Sequence, residues 1–272
     1  MDEFRTLGAT RQSIGLLLRN PGAFLKMSLA WVLIDIAILL GYCVYAWHAN
    51  GGAFDVARSL HALDQTENLR LQILLTVIPN MLASLSVAIL WTRFAVAGQR
   101  PPLWLQVPAG SARYFSRSLI LIFGAIIAMI PGVVLARLLV VDSLTMPEAW
   151  RNAAMGALIG VDVLVVLYAV GRFWLVFPAI AMGEPLGFGQ SFRLTRRAWF
   201  PLLAASVLCE LAFAVPSIAI AAAQDYLPAS GAIADAGALA IEFLSSLLAL
   251  AADAAVADVA ALAYRVLMPS QS

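Results

Sequence analysis

Six apolar runs of about twenty residues constrain this chain more than anything else in it: about Met27–Trp47, Ile73–Trp91, Leu119–Leu139, Ala153–Leu175, Phe200–Ala222 and Leu239–Tyr264. The hydrocarbon core of a bilayer is about 30 Å thick and takes roughly 20 mostly apolar residues in helical form. No water reaches the backbone there, so a spanning segment bonds within itself as a helix or laterally in a closed barrel. Runs this long and unbroken suit helices, because barrel strands need only about ten residues and alternate polar with apolar. The expected fold is all-α: a polytopic membrane protein whose six transmembrane helices make a single domain over residues 1–272. Composition bears on one alternative. With 62% of residues apolar and 12% charged, against roughly 25% charged in soluble domains, a soluble enzyme is excluded.

The first run does not read as a cleavable signal. Arg5, Arg11, Arg19 and Lys26 precede it, it exceeds the usual signal core, and no small-residue cleavage site follows closely. It is expected to stay as a helix. Thirteen of the seventeen Lys and Arg residues lie in the N-terminal tail, the linkers after runs two and four, and the C-terminal end. The opposite loops hold only Arg58, Arg70, Arg137 and Arg151. Cations stay on the cytoplasmic side, which puts both termini there. Tryptophans mark both interfaces: Trp31, Trp91, Trp104, Trp174 and Trp199 toward the basic side, Trp47 and Trp150 toward the other. A net charge of +1 provides no field for steering nucleic acid. Cys43 and Cys209 sit inside apolar runs as reduced, small hydrophobes.

The runs group into three hairpins, each opening on a basic, aromatic segment: Arg19-Asn20-Pro21-Gly22-Ala23-Phe24, Arg113-Tyr114-Phe115, and Arg196-Arg197-Ala198-Trp199-Phe200. Tyr114-Phe115 precedes Pro131 by the spacing that separates Trp199-Phe200 from Pro216, as an internal repeat would; basic-aromatic helix ends are also common in membrane proteins. Short interfacial amphipathic helices are expected beside the spans. In the third linker Phe188, Phe192 and Trp199 share one helical face, with Gln190, Arg193 and Arg197 elsewhere. Such a segment lies in the headgroup layer and attracts anionic lipid, or simply carries snorkelling arginines into a span. The tail around Phe4, Leu7, Ile14, Leu17 and Leu18 repeats the pattern more weakly, with Arg11 close to its apolar side.

The segment Arg172-Phe173-Trp174-Leu175-Val176-Phe177-Pro178-Ala179-Ile180-Ala181, then Gly183-Glu184, then Ser191-Phe192-Arg193-Leu194-Thr195-Arg196-Arg197, resembles the six-helix membrane domain of the bacterial YciC-like group. Leu90-Trp91-Thr92-Arg93-Phe94-Ala95-Val96-Ala97-Gly98-Gln99 adds to the likeness. Related membrane domains occur fused to some glycerophosphodiester phosphodiesterases. The likeness covers the whole plan of spans, but its motifs are degenerate and carry no catalysis. It implies a bacterial inner-membrane protein of largely undefined role; the phosphodiesterase activity is not carried over, since no soluble phosphodiesterase domain is expected in these residues.

Acidic residues within the runs are the sharpest functional clue: Asp35, Asp162, Glu210, and Glu242, Asp253 and Asp258 in or near the last. A carboxyl at mid-bilayer costs on the order of 2.5–3.5 kcal/mol to insert, so it faces protein or water. Glu242 and Asp253 recur at nearly one azimuth, roughly 16 Å apart along a helix. Asp35, Asp162, Glu210 and Asp253 either line a route for protons or cations, or bind helices together at about 0.6 kcal/mol per hydrogen bond. Pro79, Pro131 and Pro216 interrupt runs two, three and five, where a freed carbonyl kinks a helix. Asn80 adds a polar group beside the first. Gly156 and Gly160 form a G-x-x-x-G pair for close helix packing, internal or across a homodimer.

Enzyme signatures are missing. His48 and His61 are the sole histidines, too few for a metal site, and Asp64 beside His61 reads as solvated loop. Neither a phosphate-binding glycine loop nor a nucleophile elbow occurs. The reading is thus non-enzymatic, with no catalytic residues, metal or cofactor: a scaffold or a component handling envelope lipid. Arg113, Arg117, Arg193, Arg196 and Arg197 would meet anionic headgroups, and a second copy or another membrane protein is a conceivable partner. The alternative is a small transporter or channel using Asp35, Asp162, Glu210 and Asp253.

Overall fold

The computed structural model describes residues 5–50, 56, 73–102, 106–137, 148–184, 186–226, 228 and 231–268. Arg58, His61, Asp64, Arg70, Trp104, residues 138–139 of the third run and the side chain of Arg151 lie outside the described residues. Every regular element among those described is helical. In chain order they are α1 (Thr6–Arg19), α2 (Pro21–Asn50), a π-helical turn (Ile73–Val77) leading into α3 (Ile78–Ala97), α4 (Ser111–Ala136), α5 (Glu148–Phe173), α6 (Val176–Ala181), α7 (Phe188–Leu194), α8 (Trp199–Ala222) and α9 (Ala232–Leu267). Six helical stretches are long and apolar enough to cross a membrane, the fourth combining α5 and α6. The six runs are therefore helices of a multi-pass membrane protein.

The helices outrun the apolar stretches. α2 starts at Pro21 rather than Met27, α3 continues to Ala97, α4 starts at Ser111, and α9 starts at Ala232. Hydropathy falls at the first polar side chain, whereas a helix goes on until its backbone bonds are capped. α3 stops where Gly98 takes φ 63° and sends its N–H to the Phe94 carbonyl at 2.9 Å. Glycine adopts that left-handed conformation without a Cβ penalty.

α9 is the hub. Its 36 residues extend roughly 54 Å at 1.5 Å each, and α1, α2, α3, α6 and α8 all pack on it. Alanine makes this possible: Ala251, Ala252, Ala254, Ala255, Ala260, Ala261 and Ala263 are buried along its second half. In a membrane, small side chains let helices approach closely, and that packing replaces the hydrophobic drive available in water. One buried cluster joins Phe24, Met27, Trp31, Val87, Trp91, Leu250 and Ala254, with the Phe24 and Trp91 rings edge to face at 6.3 Å. A second joins Leu175, Ala179, Leu202, Ala205, Cys209, Ala255, Val259 and Tyr264. Both cysteines are buried.

The α4–α5 hairpin stands apart from this core. None of the apolar window of α4 is buried inside the protein, and only 6% of that of α5–α6 is, against 39% for α3. α4 pairs with α5, α5 leans on α8, and α4 touches α3 more lightly. Where the two helices meet, the Asp162 carboxylate lies against α4 at Gly132, in the place a Cβ there would take. Gly156 and Gly160 do not serve internal packing. Among the described residues nothing stands within 4 Å of a Cβ built on either, so the pair faces away from the described bundle.

Pro131 and Pro216 sit inside helices that continue past them. Pro79 falls in the first turn of α3, just after the π-helical turn, where its missing N–H costs least. The sharper break is at Trp174–Leu175, caused by Pro178. A proline four residues on can neither bond the Trp174 carbonyl nor avoid it; the N–H of Phe177 bonds it instead, at 3.3 Å.

Candidate functional site

Two clefts lie along α9 and share one residue, Ser84 of α3. The first, of ≈ 280 Å³, lies between α2, α3 and α9 and holds Asp35, Asn80, Glu242, Ser245 and Ser246. The Ser246 hydroxyl donates to the Asp35 carboxylate at 2.8 Å. Proline and asparagine at 79 and 80 both face this cleft. The first turn of α3 therefore borders an acidic, hydroxyl-rich patch.

The second cleft, of ≈ 310 Å³, separates the core from the outlying hairpin. α8 provides Glu210, α9 provides Asp253, and α4 provides Tyr114, Phe115, Ser118 and Ile122. Trp174, Phe177 and Pro178 close one end, so the break after α5 shapes the cleft directly. The Ser84 hydroxyl reaches the Asp253 carboxylate. Ile122 is 51% exposed, so the cleft opens sideways at α4. Among the described residues no Lys or Arg lines it; besides Ser84, Thr92, Tyr114 and Ser118 the other lining residues are apolar. Two carboxyl groups in such walls bind a proton, a cation or a hydrogen-bond donor far more readily than an anion.

The four intramembrane acids therefore do not converge. Asp35 sits in one cleft and Glu210 with Asp253 in the other, while Asp162 lies in the α4–α5 seam. Glu242 joins Asp35, not Asp253, despite their common azimuth, because different helices cover the two levels of α9.

The arginines of the basic end divide by role. Arg113, Arg193, Arg196 and Arg197 are exposed. Arg117 is half-buried, its guanidinium 5.0 Å from the centre of the Phe188 ring. Arg172 is 4% exposed and stacks on Phe192 at 3.8 Å, while its carbonyl accepts from both Ser191 and Thr195 at 2.9 Å. Arg93 ties three segments together, donating to the carbonyls of Ala181 at 2.8 Å and Ala109 at 2.7 Å.

These contacts correct the expectation for the third linker. α7 ends at Leu194 and a 3₁₀ turn follows, so Trp199 is not on its face. Phe188 and Phe192 pack on Phe173 at 5.3 and 5.8 Å, and Phe192 also meets Tyr168 at 6.3 Å. The aromatic stripe binds the protein to itself. In α1, too, the buried face is Ala9, Ser13 and Leu17, and Leu7 and Leu18 point outward.

Asp258, one of the acids of the last run, and Glu184 were not among the candidate site residues read from the sequence. Glu184 accepts a hydrogen bond from the hydroxyl of the fully buried Tyr264, joining α9 to the chain after α6. Asp258 is 1% exposed, and the buried hydroxyl of Ser13 in α1 faces it. Its spacing from Arg265, two helical turns later on the same face, is the signal that marks it in the sequence.

Comparison with protein-family models, with curated proteins and with solved structures gives no match to the chain.

Proposed function

We propose that this chain is a non-enzymatic, lipid-handling protein of a bacterial inner membrane, in the manner of the YciC-like domains it resembles, with both termini cytoplasmic. The cleft between the core and the α4–α5 hairpin holds the tail and head of an amphiphile whose head carries a positive charge or a hydrogen-bond donor. One observation carries this reading: Glu210 and Asp253 both line a cleft whose other walls are mostly apolar and whose Ile122 side is exposed. An alkyl chain suits Phe115, Ile122 and Val256, and an amine suits the two carboxyl groups. The exposed Arg113, Arg193, Arg196 and Arg197, with the half-buried Arg117, attract anionic headgroups at the basic end, and the cation bias supports a cytoplasmic side for it.

An alkylamine bearing a photoreactive diazirine on its chain tests the assignment. Irradiation in proteoliposomes should label peptides of α4 and α9 in the wild type and fail to do so in the Glu210→Gln/Asp253→Asn double variant. An alkyl alcohol of the same length should label both proteins equally weakly. Equal amine labelling of wild type and double variant overturns the reading.

A second reading rests on Ser84, which lines both clefts. Asp35, Ser84, Asp253 and Glu210 then form steps of a proton or cation route. It requires pH-dependent flux in proteoliposomes that Asp→Asn and Glu→Gln changes abolish; undiminished flux in those variants removes it.

A further inference from the structure

The cleft between the core and the α4–α5 hairpin has an aromatic end, and that end narrows the kind of amphiphile it suits. Tyr114 and Phe115 of α4, Trp174 at the break after α5 and Phe177 of α6 all line it. Three of the rings form a chain: Tyr114 and Phe177 lie 4.8 Å apart at 41°, and Trp174 and Phe177 lie 6.5 Å apart at 79°. Planes inclined in this way make a corner rather than a stack. Trp174 and Phe177 are both half-buried, in the short stretch where Pro178 interrupts the helix.

The carboxyl groups belong to the same neighbourhood. The charge of Asp253 acts on both the Glu210 carboxyl and the Tyr114 hydroxyl, so groups from α9, α8 and α4 come close together there. The Ser84 hydroxyl is engaged with Asp253. Thr92 and Ser118 donate to carbonyls of their own helices, at Ala88 over 2.8 Å and at Tyr114 over 3.0 Å. With these protons spent, and no Lys or Arg among the described lining residues, the cleft has no cation to meet a phosphate or a carboxylate. It presents negative charge beside aromatic rings instead.

Those two features together hold an alkylated ammonium ion. An aromatic ring attracts a cation through its quadrupole, most strongly where water is excluded, and several rings around one site recognise methylated nitrogen. A primary ammonium brings three N–H donors that each need an acceptor, whereas a quaternary one brings none. Size sets a further limit. At ≈ 310 Å³ the cleft stands at the small end of ligand sites, with room for one chain and not for a two-chain lipid. Ile122, on the exposed side, lies roughly 12 Å beyond Tyr114 along α4.

On the reading of this cleft as the site of a cationic amphiphile, we infer that its ligand is a single-chain alkylammonium ion with a methylated nitrogen. The nitrogen sits among the rings of Tyr114, Trp174 and Phe177 and the carboxyl groups of Glu210 and Asp253, and the chain leaves past Ile122.

Dodecyltrimethylammonium and dodecylamine, each with a diazirine on the chain, are compared by photolabelling the full chain in proteoliposomes at equal membrane-bound concentrations. The quaternary probe should half-label peptides of α4 and α9 in the wild type at a concentration about tenfold below that of the amine. Tyr114→Leu and Trp174→Leu keep apolar bulk but remove a ring, and each should erase most of that margin. Tyr114→Phe keeps the ring and loses only the hydroxyl, and it should preserve the margin. The wild-type comparison stands without any variant, so a poorly folded one does not remove the test. Equal half-labelling of the wild type by the two probes overturns the inference while leaving the cleft as a site for amines. A preference that survives both Tyr114→Leu and Trp174→Leu also overturns it, because the rings are then not its source. A Glu210→Gln/Asp253→Asn double variant labelled as well as wild type by both probes removes the assignment of the cleft itself.

Discussion

The seam between α4 and α5 offers a direct test of the packing. Gly132→Ala places a methyl group where the Asp162 carboxylate now lies against α4. Overpacking of this kind costs about 1–3 kcal/mol, and alanine returns up to about 1 kcal/mol through its better helix propensity. The single variant should therefore lose about 1–2 kcal/mol. Once Asp162 is alanine the obstruction is gone, and Gly132→Ala should become neutral or favourable by about 0.5–1 kcal/mol. The coupling between the two sites is then about 2 kcal/mol, close to a thirtyfold change in an equilibrium constant. Reversible unfolding of the four proteins of the cycle in mixed micelles by rising SDS measures it, with far-ultraviolet circular dichroism as the readout. Distant, independent sites add to within about 0.5 kcal/mol. Additivity at that level would show that Asp162 and Gly132 do not touch, and the pairing of α4 with α5 described above would be wrong.

Two further outcomes follow from single contacts. Tyr264→Phe removes the donor that bonds Glu184; a hydrogen bond to a charged group contributes about 1.5–3 kcal/mol, so a clear fall in melting temperature is expected. Glu184→Gln, which still accepts, should fall less, and a Tyr264→Phe protein as stable as wild type would refute the contact. Changing Arg193, Arg196 and Arg197 together to Gln should reduce the number of phosphatidylglycerol molecules retained in native mass spectrometry, without lowering stability, because all three are exposed. Unchanged retention would take these residues out of lipid contact.

The existence of each spanning helix was legible because length and hydropathy alone decide it. Orientation of faces was not. Lipid and protein interior are equally apolar, so hydropathy does not say which side of a membrane helix meets which. Gly156 and Gly160 look like a packing motif and face outward, whereas Phe188 and Phe192 look like a lipid-facing stripe and pack on Phe173. The acids were found by their oddity in apolar runs, but their grouping depended on which helices surround α9 at each level. Asp35 and Glu242 come from opposite ends of the chain, and no local pattern joins them. Pro178 passed unremarked as a helix breaker because it stands near the end of an apolar run, where a break and an ending read alike.

The central position of α9 has a consequence for how the protein is made. α2 and α3 leave the ribosome first, yet much of the surface they bury lies against a helix whose residues follow by nearly the whole length of the chain; Ser246 and Asp35 are 211 residues apart. Contacts so distant in sequence form late, after the intervening segments have been inserted. During synthesis Asp35 has no Ser246 hydroxyl, and the ring of Trp91 has no alanine surface to close over it. The α4–α5 pair does not need the last span, but the core packed on α9 closes only when that span arrives.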